Sequence, residues 1–168
     1  MKTNLFKYGL LFVVSVLVQV LFMNQIQFSG FVNPYFYLLF ILLLPFNTPR
    51  VMLLFLGFAL GVVVDGFSNT PGMHTASTVF VAFLRPLLVN VSYALDEQDN
   101  SKAPTMEYMG FFNFLRYAAV VVFIHHFILF FIEAFSFVAI TQTLLRILLS
   151  AIFTLALLVI SQFIAFRK

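Results

Sequence analysis

Seven side chains with acid–base, ligand or ion-pairing chemistry stand out within this chain: Asp65, His74, Arg85, His125, His126, Glu133 and Arg146. Asp65 and His74 flank a turn-rich connector, Gly66-Phe67-Ser68-Asn69-Thr70-Pro71-Gly72-Met73. A carboxylate beside an imidazole can hold one tautomer, bind a ligand or relay a proton, because histidine titrates near neutrality. The same residues also suit structural work: Asp65 capping the loop, and His74 capping or starting the next helix, with Pro71 and Gly72 shaping the turn. No nucleophile with a paired base lies nearby, so the structural role is the expectation. His125 and His126 are adjacent, project about 100° apart on a helix, and cannot readily join one metal site. A bis-histidine haem needs facing helices, and His74 lies near the opposite end of its own span. Polar packing is therefore expected of both, with no metal and no cofactor.

Other chemistry lacks its signatures. With no cysteine there is no disulfide framework, thiolate nucleophile, cysteine-type zinc site or iron–sulfur ligation. No His-Glu-x-x-His, phosphate-binding glycine loop or Gly-x-Ser-x-Gly is present, which lowers an enzyme reading. The net charge of +3 comes without a patterned basic face, so nucleic acid is not an expected partner.

The elements that position these residues follow from composition. The chain is 62% apolar and 9% charged, against about 45–50% and 25% in soluble proteins. Apolar stretches near the roughly 20 residues that cross a bilayer number six, and they predict an all-α integral membrane bundle of six transmembrane helices. The expected spans are Tyr8 to Phe28, Phe31 to Phe46, Pro49 to Phe67, Met73 to Leu95, Phe111 to Phe135 and Ile140 to Phe166. The N-terminal run exceeds a usual signal-peptide core and lacks the small residues of a cleavage site, so it reads as a span. Pro34 suits the first turn of the short second span, and Pro45 with Asn47-Thr48-Pro49 marks a tight connection. Residues 1–168 form one polytopic domain, interrupted by a polar, flexible loop at about 96–107.

Six crossings place both termini on one side. Lys2, Lys7, Arg50, Lys102, Arg116, Arg167 and Lys168 collect there, Arg146 falls on the other side, and the positive-inside rule makes the cation-rich side cytoplasmic. Tyr8, Tyr93, Tyr108 and Tyr117 are expected near that interface, anchoring helix ends. Gly57, Gly61 and Asp65, four apart, form one stripe on the third helix: a glycine groove for internal packing or, alternatively, a partner. Arg85, followed by Pro86, is expected to snorkel toward the cytoplasmic headgroups, with the alternative that it meets a carbonyl inside the bundle. Glu133 and Arg146 are equidistant from the turn at Val138-Ala139-Ile140, which makes an ion pair between consecutive antiparallel helices feasible.

Gly61-x-x-x-Asp65, followed by Pro71-Gly72-Met73-His74 at the head of the next span, resembles the MreD family of rod-shape-determining inner-membrane proteins of bacteria. The Asn33-Pro34 start and Pro45 finish of the second span look similar too. The resemblance implies a non-enzymatic membrane scaffold of the cell-elongation machinery that supports peptidoglycan synthesis. The implied partners are membrane lipid, an MreC-like membrane-anchored protein and, in the wider complex, MreB-like filaments and a RodA-type synthase. MreD-like proteins are also similar in architecture to the six-helix substrate-binding subunits of energy-coupling-factor vitamin transporters, the competing class. Those subunits dock through paired alanines on the first helix, and this chain has no alanine before Ala59.

Overall fold

The computed structural model describes residues 2–26, 32–93, 102–135 and 140–165, with side chains from Phe6 onward. The helices are α1 (Lys2–Leu21), α2 (Leu38–Leu43), α3 (Arg50–Ser68), α4 (Met73–Ser92), α5 (Met106–Met109), α6 (Phe111–Ala134) and α7 (Ile140–Ala165), and no strand forms among the described residues. Five helical stretches are long and apolar enough to cross a membrane: Phe6–Gln25, Arg50–Ser68, Met73–Ser92, Phe111–Ala134 and Ile140–Ala165. The protein is an all-α, multi-pass membrane protein. α3 packs on α4, α4 on α6 and α6 on α7, while α1 closes onto α2 and α3.

The second expected span departs from a helix. Only six of its residues are helical, from Leu38 to Leu43. Pro45 explains the finish: it pushes Leu44 into extended backbone (φ −60°, ψ 145°) and the helix stops. At the other end Pro34 does not begin a helical turn. Side chains of α1 and α7 take over the backbone groups there, as a lipid-embedded non-helical segment requires. Asn33 N–H donates to Ser150 Oγ (3.0 Å), Tyr35 N–H to Thr154 Oγ1 (3.0 Å) and Tyr37 N–H to Gln19 Oε1 (3.4 Å). Gln19 also donates through Nε2 to the Pro34 carbonyl (3.0 Å). The donors alternate along the chain, as in a strand, but their acceptors are side chains rather than a neighbouring strand. Leu38, Ile41 and Leu42 are wholly buried, so this short segment is the centre of the bundle rather than a lipid-facing helix.

The loop expected at 96–107 is described from Lys102 onward. Residues 94–101 lie outside the described set. From Lys102 the chain is tied down: the Lys102 carbonyl accepts from Phe46 N–H (3.0 Å), Thr105 caps α5 by accepting from Tyr108 N–H (3.2 Å), and Met106 N–H donates to Gln162 Oε1 (3.2 Å) on α7. The terminal cations Lys2, Arg167 and Lys168 have side chains outside the described set.

Candidate functional site

Asp65 lies in the last turn of α3 and organises the start of α4. Its Oδ1 accepts from Thr70 Oγ1 (3.0 Å) and His74 N–H (3.0 Å), and its Oδ2 from Gly72 N–H (3.1 Å), Thr75 N–H (2.9 Å) and Thr75 Oγ1 (2.6 Å). The first N–H groups of a helix have no partner inside it and carry its positive dipole end, so a carboxylate there satisfies donors and charge together. Two backbone bonds complete the account, Met73 N–H to Thr70 O (3.1 Å) and Ala76 N–H to Gly72 O (2.9 Å). The turn needs left-handed backbone at Asn69 (φ 55°) and Gly72 (φ 83°), residue types that tolerate it. Asp65 therefore reaches His74 through the main chain, not through the ring.

The glycine stripe lets α4 come this close. A methyl at Gly57 would lie 2.9 Å from Ala82 Cβ and 3.1 Å from Thr78 O; at Gly61 it would meet the Thr75 backbone, with Thr75 N at 2.8 Å. Across the contact, Thr78 Oγ1 donates to the Gly57 carbonyl (2.8 Å). Gly57 and Gly61 thus face α4.

The His74 ring belongs to a second group. Tyr37 Oη lies 2.7 Å from His74 Nδ1 and 2.7 Å from His125 Nε2, joining α4 and α6 through the residue that precedes α2. Tyr35 sits edge-on to His74 (5.1 Å between rings) and His125 (5.6 Å). His126 turns away from Tyr37: its Nδ1 lies 2.8 Å from Val122 O and its Nε2 3.1 Å from Thr154 Oγ1. The two adjacent histidines serve different helices, and no group of three or more His, Cys, Asp or Glu suited to a metal exists among the described residues.

A cavity of about 610 Å³ opens beside this group, between α1, the 32–37 segment, the α3–α4 turn, α6 and α7. Asn24, Asn33, Tyr35 and His74 line it, with Glu133 and Arg146 also on its wall. Arg146 Nη2 donates to Glu133 Oε1 (3.0 Å) and Oε2 (3.2 Å), with side-chain exposures of 24% for Arg146 and 38% for Glu133. The Arg146 guanidinium also lies 4.7 Å from the Phe130 ring centre.

Arg85 corrects the expectation of snorkelling. It is 1% exposed, and its guanidinium donates to the carbonyls of Leu42 (3.5 Å), Leu44 and Pro45 (3.4 Å). These are carbonyls left without helical partners where Pro45 ends α2, and a cation there also meets the negative dipole end. The pull of that carbonyl set outweighs escape to the headgroups, and α4 runs on through Pro86 to Ser92. Tyr117 is a second correction: it does not anchor an interface but is wholly buried, donating from Oη to the Leu42 carbonyl (3.3 Å). Tyr93 and Tyr108 pack with Phe46 at the end of the bundle that holds Arg50.

The structure brings Asp65, Pro71, Gly72 and His74 into one junction, joins His74 to His125, and leaves Arg85 at a separate centre. Sequence reasoning missed Tyr37, Gln19, Ser150 and Thr154. Their signal was present: Gln19 interrupts an apolar run, and Ser150 and Thr154 are four apart on one face of α7. The class these features define is a polytopic helical membrane protein with a polar centre. No family model, curated protein or solved structure matches the chain.

Proposed function

We propose that the protein is a membrane scaffold of the bacterial cell-elongation machinery, as its resemblance to the MreD family implies. It lies in the inner membrane, crosses six times with the 32–46 segment as the second crossing, and keeps both termini in the cytoplasm. It supports peptidoglycan synthesis by holding an MreC-like protein within a complex of MreB-like filaments and a RodA-type synthase. The observation that carries this reading is the state of Asp65. The most reactive group of the shared motif accepts five hydrogen bonds from the junction it closes. A carboxylate so occupied fixes the angle between two helices and is not poised as an acid or base. Depletion in a rod-shaped host is expected to give round cells, and the full-length protein to co-purify with the MreC-like partner; rods that persist after depletion overturn the reading.

A second reading has its own support. The cavity beside His74 falls within the roughly 300–1,000 Å³ of small-molecule sites, which favours a substrate-binding subunit of a small-molecule transporter, similar in its six-helix architecture to the energy-coupling-factor class. Solute uptake that depends on this chain, in cells whose shape does not, decides for it.

A further inference from the structure

The Tyr37 hydroxyl has one proton and two histidine neighbours. Each ring nitrogen is 2.7 Å away, so Tyr37 donates to one and accepts from the other. Two arrangements satisfy this. In the first, His125 donates from Nε2 to Tyr37, Tyr37 donates to His74 Nδ1, and the remaining His74 proton sits on Nε2. In the second, the order is reversed and the His125 proton moves to Nδ1. His125 is wholly buried and its Nδ1 has no hydrogen-bond partner. An orphaned buried N–H is rarer in proteins than an under-used acceptor, so the first arrangement is the stable one. Tyr37 and His125 thereby set the tautomer of a histidine on another helix, as an outer partner sets that of a metal-bound histidine.

The consequence falls on the cavity. His74 lines it, and with Nδ1 held by Tyr37 the ring's other nitrogen, Nε2, is a fixed N–H donor. Among the described residues, Glu133 and Arg146 are the charged ones on the wall, and their charges sum to zero. A ligand with net charge enters without compensation, whereas a net-neutral one does not disturb the balance. The Asn24 and Asn33 amides and the Tyr35 ring supply polar and aromatic surface around it.

We propose that this cavity binds a small, net-neutral, hydrogen-bonding solute through an oxygen acceptor placed on His74 Nε2–H, with Tyr37 and His125 as the positioning residues that hold His74 as the donor. This rests on the ligand-binding reading of the cavity, not on the scaffold reading.

The chain contains three histidines, so labelling with ¹⁵N-histidine gives a spectrum of only three rings. In lipid nanodiscs the full chain is expected to show His74 protonated at Nε2 and bare at Nδ1, and Tyr37→Phe to release it into a mixture of tautomers. L-Glutamine and benzamide, both net-neutral with oxygen acceptors, serve as probes. Each is expected to shift the His74 Nε2 resonance saturably while sparing His126, with acetate and choline at least about tenfold weaker. His74 protonated at Nδ1 in the unaltered chain overturns the positioning role. The expected tautomer with no saturable shift from either neutral probe overturns the binding proposal and leaves the scaffold reading untouched. A shift that follows the lipid headgroup and ignores both solutes also overturns it.

Discussion

Asp65 and Arg85 both finish helices inside the bundle, and they do it with opposite signs at opposite poles. Asp65 covers the N–H groups at the start of α4, and Arg85 covers the carbonyls at the end of α2. Each charge faces the dipole end that stabilises it. The difference is reach. Asp65 and its partners lie within ten residues, across one turn, whereas Arg85 and its carbonyls are separated by 40 or more. The carboxylate shapes a connection that local turn chemistry already favours. The guanidinium holds together segments that have no local reason to meet.

The largest expected effect tests that difference. Arg85→Leu keeps an apolar stem but leaves the Leu44 carbonyl without a donor in the bundle interior, while Leu42 keeps only the bond from Tyr117 and Pro45 its bonds from Thr48. These carbonyls belong to the backbone and cannot be removed together with the charge, so the usual gain from replacing a whole buried pair is absent. With one orphaned carbonyl costing about 1–3 kcal/mol and each of the two other lost hydrogen bonds about 1 kcal/mol, a loss of about 4 kcal/mol is expected, read as unfolding of micelle-embedded protein on titration with a denaturing detergent. Tyr117→Phe removes one further donor to Leu42 and should cost about 1 kcal/mol. A near-neutral Arg85→Leu means that the carbonyls find other partners and that the second centre is not one.

Asp65→Asn keeps the shape and removes the charge. One amide oxygen remains to accept, and the amide N–H group now faces donors it cannot satisfy. About 3 kcal/mol is expected to be lost, with amide exchange rising first at His74 and Thr75. Gly61→Ala attacks the same junction from behind, because the added methyl meets the Thr75 backbone, which cannot turn aside, as well as Thr78 Oγ1. Overpacking of this kind costs about 2 kcal/mol. Gly66→Ala, where nothing lies within 4 Å, is its control and should be close to silent.

The same contrast in reach explains what the sequence made legible. Hydropathy identified five long helices because a 20-residue apolar run is a local property. The Asp65 junction was visible for the same reason: glycine, proline, serine and asparagine crowd one connector. The second span was mistaken for a full helix because its N-terminal backbone groups are satisfied by Gln19, Ser150 and Thr154, the last two well over one hundred residues away in sequence. No local period encodes that. Tyr37 was lost among the aromatic mass, since only the fold shows one hydroxyl meeting two histidines.

Glu133 and Arg146 form the case between local and remote, and carry the smallest expected effect. They lie 13 residues apart across the α6–α7 connection, and their side chains meet. Arg146 donates through one nitrogen to both carboxylate oxygens, which is not the two-nitrogen fork of the strongest pairs. Exposures of 24% and 38% decide the magnitude: although Arg146 Nε is buried, both side chains remain open enough that the pair belongs with surface bridges worth about 0–1 kcal/mol, not with buried ones at about 3–5. The Arg146 contact with the Phe130 face survives loss of the carboxylate, so Glu133→Gln should cost less than Arg146→Gln. Exchanging both, Glu133→Arg with Arg146→Glu, is expected to recover most of what either single exchange loses, because like charges then give way to a pair of reversed polarity. Additive losses in that double exchange show that the bridge contributes nothing beyond its separate ends. A coupling well above about 1 kcal/mol shows instead that the cavity wall is drier than its exposure indicates, and moves this pair beside Arg85 among the contacts that hold distant helices together.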